Sequence, residues 1–231
     1  MKKRVVVVTG AFGTLGSAVV LKFLDINDKV ILVDKAGKRP PALSESAIAE
    51  NDIYVGWDLS NADSTNQLVK DIHKTHGVID VLINVAGAFR SETVLDGSLD
   101  TWDFLYSVNL KTVANMCRAA LPVLNRTGAG RIVNVGANAA QHATRGMGAY
   151  AASKSAVHRL TEALADELKG QATVNAVLPG IMDTPLNRSE MPNANFSAWV
   201  QPEEMAAIIV FLASEEARAI TGALIPVTGR V

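Results

Sequence analysis

Residues 5–16 read Val5-Val6-Val7-Val8-Thr9-Gly10-Ala11-Phe12-Gly13-Thr14-Leu15-Gly16. Four valines in a row suit a strand buried on both faces. Three glycines at a spacing of three follow, and a helical pattern runs on from Thr14 to about Leu24. Each glycine has a separate physical use. Gly10 lets the chain turn sharply, Gly13 has no Cβ to hold a pyrophosphate off the backbone, and Gly16 lets the helix lie against the sheet. The helix start at Thr14 and Leu15 then offers free N–H groups and a partial positive charge to phosphates. Strand, glycine turn and helix stand in the order that dinucleotide binding requires.

Outward from that unit, short β-branched runs alternate with long amphipathic ones. Strands are expected at Val5–Thr9, Val30–Val33, Ile53–Val55, Val78–Val85, Arg131–Val135, Thr173–Leu178 and Leu224–Pro226. Helices are expected at Thr14–Leu24, Asn61–His76, Ser98–Leu124, Ala149–Leu168 and Pro202–Ala213, with Ser98 as a cap and Pro202 at a permitted early position. This alternation predicts an α/β fold: a Rossmann-type, doubly wound parallel sheet of about seven strands with helices on both faces. One domain over residues 1–231 is expected, since no repeat or low-complexity linker interrupts the pattern. Lys35–Asn51 and Leu186–Val200 are the least regular stretches. The second is polar but carries Met191, Phe196 and Trp199, so it either covers a site over residues 186–200 or is pinned to the core by those groups.

Composition narrows the function. Hydrophobic residues make up 48% of the 231, enough for a large core. A net charge of −1 gives no electrostatic reason to expect nucleic acid or an anionic membrane as partner. The apolar run after Met1 is too short for a secretory core, and no run reaches a membrane span, so a cytoplasmic location is expected. Cys117 stands alone, which leaves no internal disulfide or cysteine metal cluster and suggests core packing. His73, His76, His142 and His158 show no metal-ligand grouping, so no metal is expected. Trp57 and Trp102 read as packing groups.

Asp34 ends the second strand, about 20 residues beyond the glycine turn. A carboxylate there accepts from both ribose hydroxyls of an adenosine and repels a 2′-phosphate. NAD(H) is therefore preferred, while Lys35, Lys38 and Arg39 nearby keep NADP(H) open. Tyr150 and Lys154, four apart, share one face of the Ala149–Leu168 helix.

With these pieces in order, the chain resembles the short-chain dehydrogenase/reductase family along essentially its whole length. Thr9-Gly10-x-x-Gly13-x-x-Gly16 matches the cofactor turn, Asp58-Leu59 the adenine-contacting acid, and Asn84-Val85-Ala86-Gly87 the family's Asn-Asn-Ala-Gly motif. Asn109 in Ser-Val-Asn-Leu matches the helix asparagine, Tyr150-x-x-x-Lys154 the active-site pair, and Pro179-Gly180 with Thr184-Pro185 the turn at the nicotinamide. The resemblance implies that Tyr150 is general acid in reduction and that the Lys154 ammonium lowers its pKa and binds the nicotinamide ribose. It implies that Asn109 holds a water for proton relay, and that Thr184 and the backbone at Ile181 fix the carboxamide. It also implies a homodimer or homotetramer through the Ala-rich faces of Thr112–Ala120 and Ala149–Leu168, and a small-molecule substrate.

One position departs. The family's serine, thirteen residues before the tyrosine, is replaced by Ala137, and Gly136 has no hydroxyl either. Loss of such a donor costs about 10²–10³ in rate where the reaction relies on it. Three readings follow: a substrate that does not need the donor, a substitute donor from Asn138, Gln141 or His142, or a dinucleotide-binding regulatory protein that has lost catalysis. Within the family the chain is most similar to the dihydropteridine-reductase branch. That branch shares Gly-Ala-x-Ala-Ala at 136–140 and a stretch like Asp183-Thr184-Pro185-x-Asn187-Arg188 … Met191-Pro192 … Phe196-Ser197-x-Trp199. A quinonoid pterin is already polarised to accept hydride, so it has less need of the serine. The branch's pterin-side tryptophan is missing, with Ala88-Phe89-Arg90 in its place. Substrate contacts are therefore expected from Ala137, Asn138, His142, Phe89, Phe196 and Trp199.

Overall fold

The computed structural model describes residues 3–44, 46 and 48–230. Its strands are β1 (Val5–Thr9), β2 (Lys29–Asp34), β3 (Ile53–Val55), β4 (Val81–Asn84), β5 (Gly130–Val135), β6 (Ala172–Pro179) and β7 (Leu224–Val227). They form one sheet in the order β3-β2-β1-β4-β5-β6-β7, and every pairing is parallel. Parallel neighbours need crossover connections, and the helices supply them. They are α1 (Thr14–Asp25), α2 (Pro41–Ser44), α3 (Ala62–His76), α4 (Leu99–Leu105), α5 (Thr112–Ala120), α6 (Gly148–Glu167), α7 (Pro185–Glu190) and α8 (Pro202–Leu212).

The strands read as unbroken apolar runs because both faces are covered. Val5 and Val7 of β1 enter one core with Leu68 and Ile72 of α3, Met116 of α5 and Val157 of α6. Val6 and Val8 enter the other, with Val19 and Phe23 of α1 and Met205 and Ile209 of α8. Side chains alternate across the strand, so neighbouring valines serve opposite cores. β1 and β4 are sequence-distant neighbours, and the chain leaves them in opposite directions across the sheet. The crevice at their carboxyl ends is where such folds bind ligands.

Three elements differ from the sequence reading. The expected Val78–Val85 strand joins the sheet only over Val81–Asn84, with Ile79 making an isolated parallel bridge to Leu124. The strand ends at Asn84 because the Val85 N–H donates to the side-chain Oγ1 of Thr9 at 3.2 Å instead of to a backbone carbonyl of the neighbouring strand. The expected single helix over Ser98–Leu124 is divided. Ser98 does cap α4, accepting from Asp100 N, but a π-turn at Tyr106–Lys111 separates α4 from α5, and a 3₁₀ turn at Leu121–Val123 follows. The π-turn widens the helix by one residue at Asn109, and the Asn109 side chain is spent on contacts outside the helix. Leu186–Val200 is not bare loop: it contains most of α7 and a 3₁₀ turn at Phe196–Ala198. Among the described residues no helix is long and apolar enough to cross a membrane.

Candidate active site

A cavity of about 460 Å³ opens at the carboxyl ends of β1, β2 and β4, lined among others by Gly10, Gly13, Gly16, Leu15, Asp34, Lys35, Trp57, Asp58, Leu59, Ala86 and Gly87. The glycine turn forms its floor. Gly10 has φ +64°, and a Cβ there would come within 2.8 Å of the Ala86 backbone. At Gly16 a Cβ would fall 2.0 Å from Gly10 O, which enforces the close approach of α1. Gly13 caps α1 without any side-chain hydrogen bond, so the first-turn N–H groups keep free donors on the cavity side. This is the cradle a pyrophosphate requires, and these residues fit a dinucleotide.

Asp34 sits at the cavity wall with each oxygen oriented by one backbone donor: Phe12 N to Oδ2 and Ala36 N to Oδ1, both at 2.8 Å. One lone pair per oxygen stays available for a ribose hydroxyl. Asp58 Oδ1 accepts from Ser60 N and Oγ, and Oδ2 accepts from Lys35 Nζ at 2.9 Å. The Ser60 hydroxyl first, and then Lys35, hold the Asp58 carboxyl down at about 2.

At the far end of the crevice, α6 carries Tyr150 and Lys154 one turn apart. Lys154 is buried and its Nζ donates to Val135 O at 2.8 Å, which ties it to the end of β5. Asn109 is fully buried, takes the Ala88 N–H on Oδ1 at 2.8 Å, and donates to Ala88 O and to Ser153 Oγ. A Cβ at Gly87 would meet Asn109 Oδ1 at 2.7 Å and Lys154 Nζ at 3.3 Å, so both side chains converge on that glycine. The Phe89 ring stands edge-on to Tyr150 with centroids 4.9 Å apart.

Burial controls both titrating groups of the pair. It pushes the Tyr150 phenol up to about 12 and pulls the Lys154 ammonium down to about 8. In the protein alone the Tyr150 phenol thus lies above its ordinary value, not below it as expected, and burial is the cause.

The Ala137 position is closed from behind. Its N–H donates to His158 Nε2 at 3.3 Å, and burial first, then the charges of Arg159 and Lys154, bring that imidazole down to about 4. The neighbouring Gly136 has no room for a methyl group, since a Cβ would fall 2.5 Å from His158 Nε2. Of the alternative donors, Gln141 Nε2 is bonded to Asn138 Oδ1 at 3.1 Å, and His142 is exposed on the loop before α6. Pro179 ends β6, Gly180 N donates to Val227 O, and Ile181 is exposed at the turn. Thr184 caps α7 by accepting from Asn187 N.

Three residues expected at the site have buried side chains. Thr9 is 1% exposed, and its hydroxyl accepts from Val85 N and Ala86 N, so it shapes the cavity edge from beneath instead of touching a ligand. Asn84 is equally buried, and its amide donates to Asn134 Oδ1 and Cys117 Sγ across the sheet. Trp199 is 2% exposed, so it anchors its loop in the core and presents no face to a substrate, while Phe196 packs against it and stays half-buried. Conversely Trp57, read as packing, lines the cavity as well. His158 and Ser153 were missed as site neighbours. Position was the available signal, because His158 lies four residues past Lys154 on the same helix face.

A parallel sheet with a glycine cradle at its switch point and a Tyr–Lys–Asn cluster beside it defines a dinucleotide-dependent oxidoreductase. The short chain dehydrogenase profile matches residues 4–195, and the chain belongs to the short-chain dehydrogenase/reductase family, whose members use NAD(P)(H). It is 32% identical to the 3-oxoacyl-[acyl-carrier-protein] reductase FabG of Thermotoga maritima, over 99% of this chain and 98% of that protein. It is also 32% identical to an acetoacetyl-CoA reductase of Allochromatium vinosum, over 98% and 97%. Among solved structures, a short-chain dehydrogenase/reductase of Brucella melitensis, titled glucose/ribitol dehydrogenase, superposes with a TM-score of 0.89 at 30% identity, covering 98% of this chain and 95% of that one.

Proposed function

We propose that this enzyme is an NADH-preferring reductase of conjugated ring substrates, of the quinonoid dihydropterin kind. The observation that carries this reading is Ala137. The acid–base cluster of Tyr150, Lys154 and Asn109 is complete, yet the position from which a hydroxyl would clamp an isolated carbonyl has only a methyl group. A substrate whose ring is already polarised tolerates that loss. Phe89, exposed beside Tyr150, offers such a ring an apolar face. The segment 186–200, which carries the half-buried Phe196 and is anchored by the buried Trp199, is the cover this reading assigns to the substrate.

The bound nicotinamide supplies the hydride. The chain supplies position and the proton. Tyr150 gives its proton to the reduced atom, and the Lys154 ammonium, one turn away, steadies the phenolate left behind. Asn109 fixes the backbone at Ala88 beside that pair, and its amide oxygen and the Lys154 ammonium converge on Gly87. Asp34, with a lone pair free on each oxygen, favours a ribose diol over a 2′-phosphate.

A second reading has its own support. Two relatives of full length bear names of 3-oxoacyl and acetoacetyl thioester reductases. A β-ketoacyl substrate would then draw its missing hydrogen bond from Asn138 or His142. The deciding experiment follows NADH oxidation with quinonoid dihydropterin, acetoacetyl-CoA and a panel of ketones and quinones, for the natural chain and for Ala137→Ser. The pterin reading requires turnover of the pterin and no gain from the serine. Thioester turnover that rises with Ala137→Ser would establish the second reading. Tight NADH binding without turnover of any of them would leave a regulatory dinucleotide-binding protein. Asp34→Ala tests cofactor choice, and an unchanged NADH-to-NADPH preference would remove Asp34 from that role. We further propose a homodimer or homotetramer through the faces of α5 and α6, tested by light scattering at micromolar concentration.

A further inference from the structure

The cation that follows Asp34 in the chain is exposed but ion-paired. Lys35 reaches across the cavity mouth to Asp58, and Nζ lies 2.9 Å from Oδ2. The two residues come from different loops, after β2 and after β3, and both line the cavity. Asp58 is itself held in place by two bonds from Ser60 to its other oxygen. Arg39, the nearby guanidinium, is turned into its own loop and donates to Ser46 O. Of the cations that follow Asp34 in sequence, Lys35 and Arg39 are thus committed to other partners, while Lys38 is exposed.

A 2′-phosphate at the Asp34 ribose would meet a carboxylate and need a cation to offset it. We propose that the Lys35–Asp58 pair is a selectivity latch, which withholds Lys35 from a 2′-phosphate and so adds to the discrimination that Asp34 provides. The proposal rests on the reading of Asp34 as the ribose contact. Recruiting Lys35 to a phosphate means breaking its bond to Asp58. Without Asp58 that cost disappears, and Lys35 is free to turn toward the phosphate. The pair is partly exposed, with the Lys35 side chain 76% and the Asp58 side chain 45% accessible, so its effect is modest.

The test is a double-mutant cycle on binding. Dissociation constants for NADH and NADPH are measured by calorimetry for the natural chain, Asp58→Asn, Lys35→Met and the double variant, with melting curves to show that all four fold. Asp58→Asn is expected to move the NADPH-to-NADH affinity ratio toward NADPH about three- to fivefold. In the Lys35→Met background the same change is expected to move it less than about 1.5-fold. An equal shift in both backgrounds would reduce Asp58 to simple charge repulsion and overturn the latch. Parallel weakening of both cofactors by Asp58→Asn, with the ratio unmoved, would overturn it too. Preference of the natural chain for NADPH would overturn the reading of Asp34 alone, because the coupling between positions 35 and 58 is measured independently of it.

Discussion

The Phe89 ring stands edge-on to the Tyr150 ring, with centroids 4.9 Å apart and planes at 82°. This contact helps exclude water from the phenol, whose burial pushes it up to about 12. Phe89→Ala should admit water and bring the Tyr150 phenol back toward 10. The direction follows from desolvation, which penalises the phenolate. The absorbance of phenolate, titrated in Phe89→Ala and corrected by the same titration in Phe89→Ala with Tyr150→Phe, reads the shift.

Tyr150→Phe keeps the ring and removes only the hydroxyl that carries the proton. Loss of a positioned general acid costs on the order of 10²–10⁴ in kcat. NADH affinity should stay within about twofold, since catalysis and cofactor binding use different atoms here. Normal turnover in this variant would end the tyrosine mechanism.

Lys154 illustrates a function that costs stability. Burial pulls its ammonium down to about 8 from 10.5, so the folded protein gives up the proton more readily than the unfolded chain. At pH 7 the folded state carries the full penalty of a buried charge. Between about pH 8 and 10.5 the unfolded chain holds more protons, so stability rises with pH in that window. Lys154→Met should melt higher than the natural protein at pH 7, by on the order of 1–3 kcal/mol, and the gap should narrow by pH 10. Calorimetric melts at the two pH values test this, and a gap that widens would refute it.

Gly136 and His158 compete for one space. A methyl group at 136 would fall 2.5 Å from His158 Nε2, and the Ala137 N–H holds that ring in place. Gly136→Ala should cost about 1–3 kcal/mol of stability by overpacking. The same substitution made on His158→Ala should cost much less, because the obstacle is gone. Denaturant unfolding of the four proteins gives the coupling, and strict additivity would show that the clash is not the cause.

Cys117 is buried under β4, and burial raises its thiol to about 12. It should resist thiol-reactive dyes at pH 8 while the protein is folded and react at once in denaturant. Rapid native labelling would place the thiol at an accessible surface.

The early strands and the cofactor turn were legible because their signals are local. A valine run buried on both faces, a glycine at φ +64° and a helix beginning at Thr14 depend on neighbours a few residues away. Strand β4 and the helices within 98–124 are shorter than their periodicity implies for the opposite reason. Thr9 Oγ1 captures the Val85 and Ala86 N–H groups from another strand, and Asn109 turns a π-widened segment toward Ala88. Neither partner is near in sequence.

The sequence by itself determined the parallel α/β fold, the order of its elements, the family, and the pairing of Tyr150 with Lys154 on one helix face. The fold, the element order and the Tyr150–Lys154 pairing follow from periodicity and spacing along the chain, and the family from the resemblance of its ordered motifs. Only the tertiary structure decided which named residues face the cavity. It buried Thr9, Asn84 and Trp199, brought His158 against the Ala137 backbone, and joined Lys35 to Asp58 across the mouth. It also reversed the expected shift of the Tyr150 phenol. Burial is a property of the packed whole, and the desolvation it brings is what raises the phenol, which the side-by-side placement of two groups along a helix does not reveal.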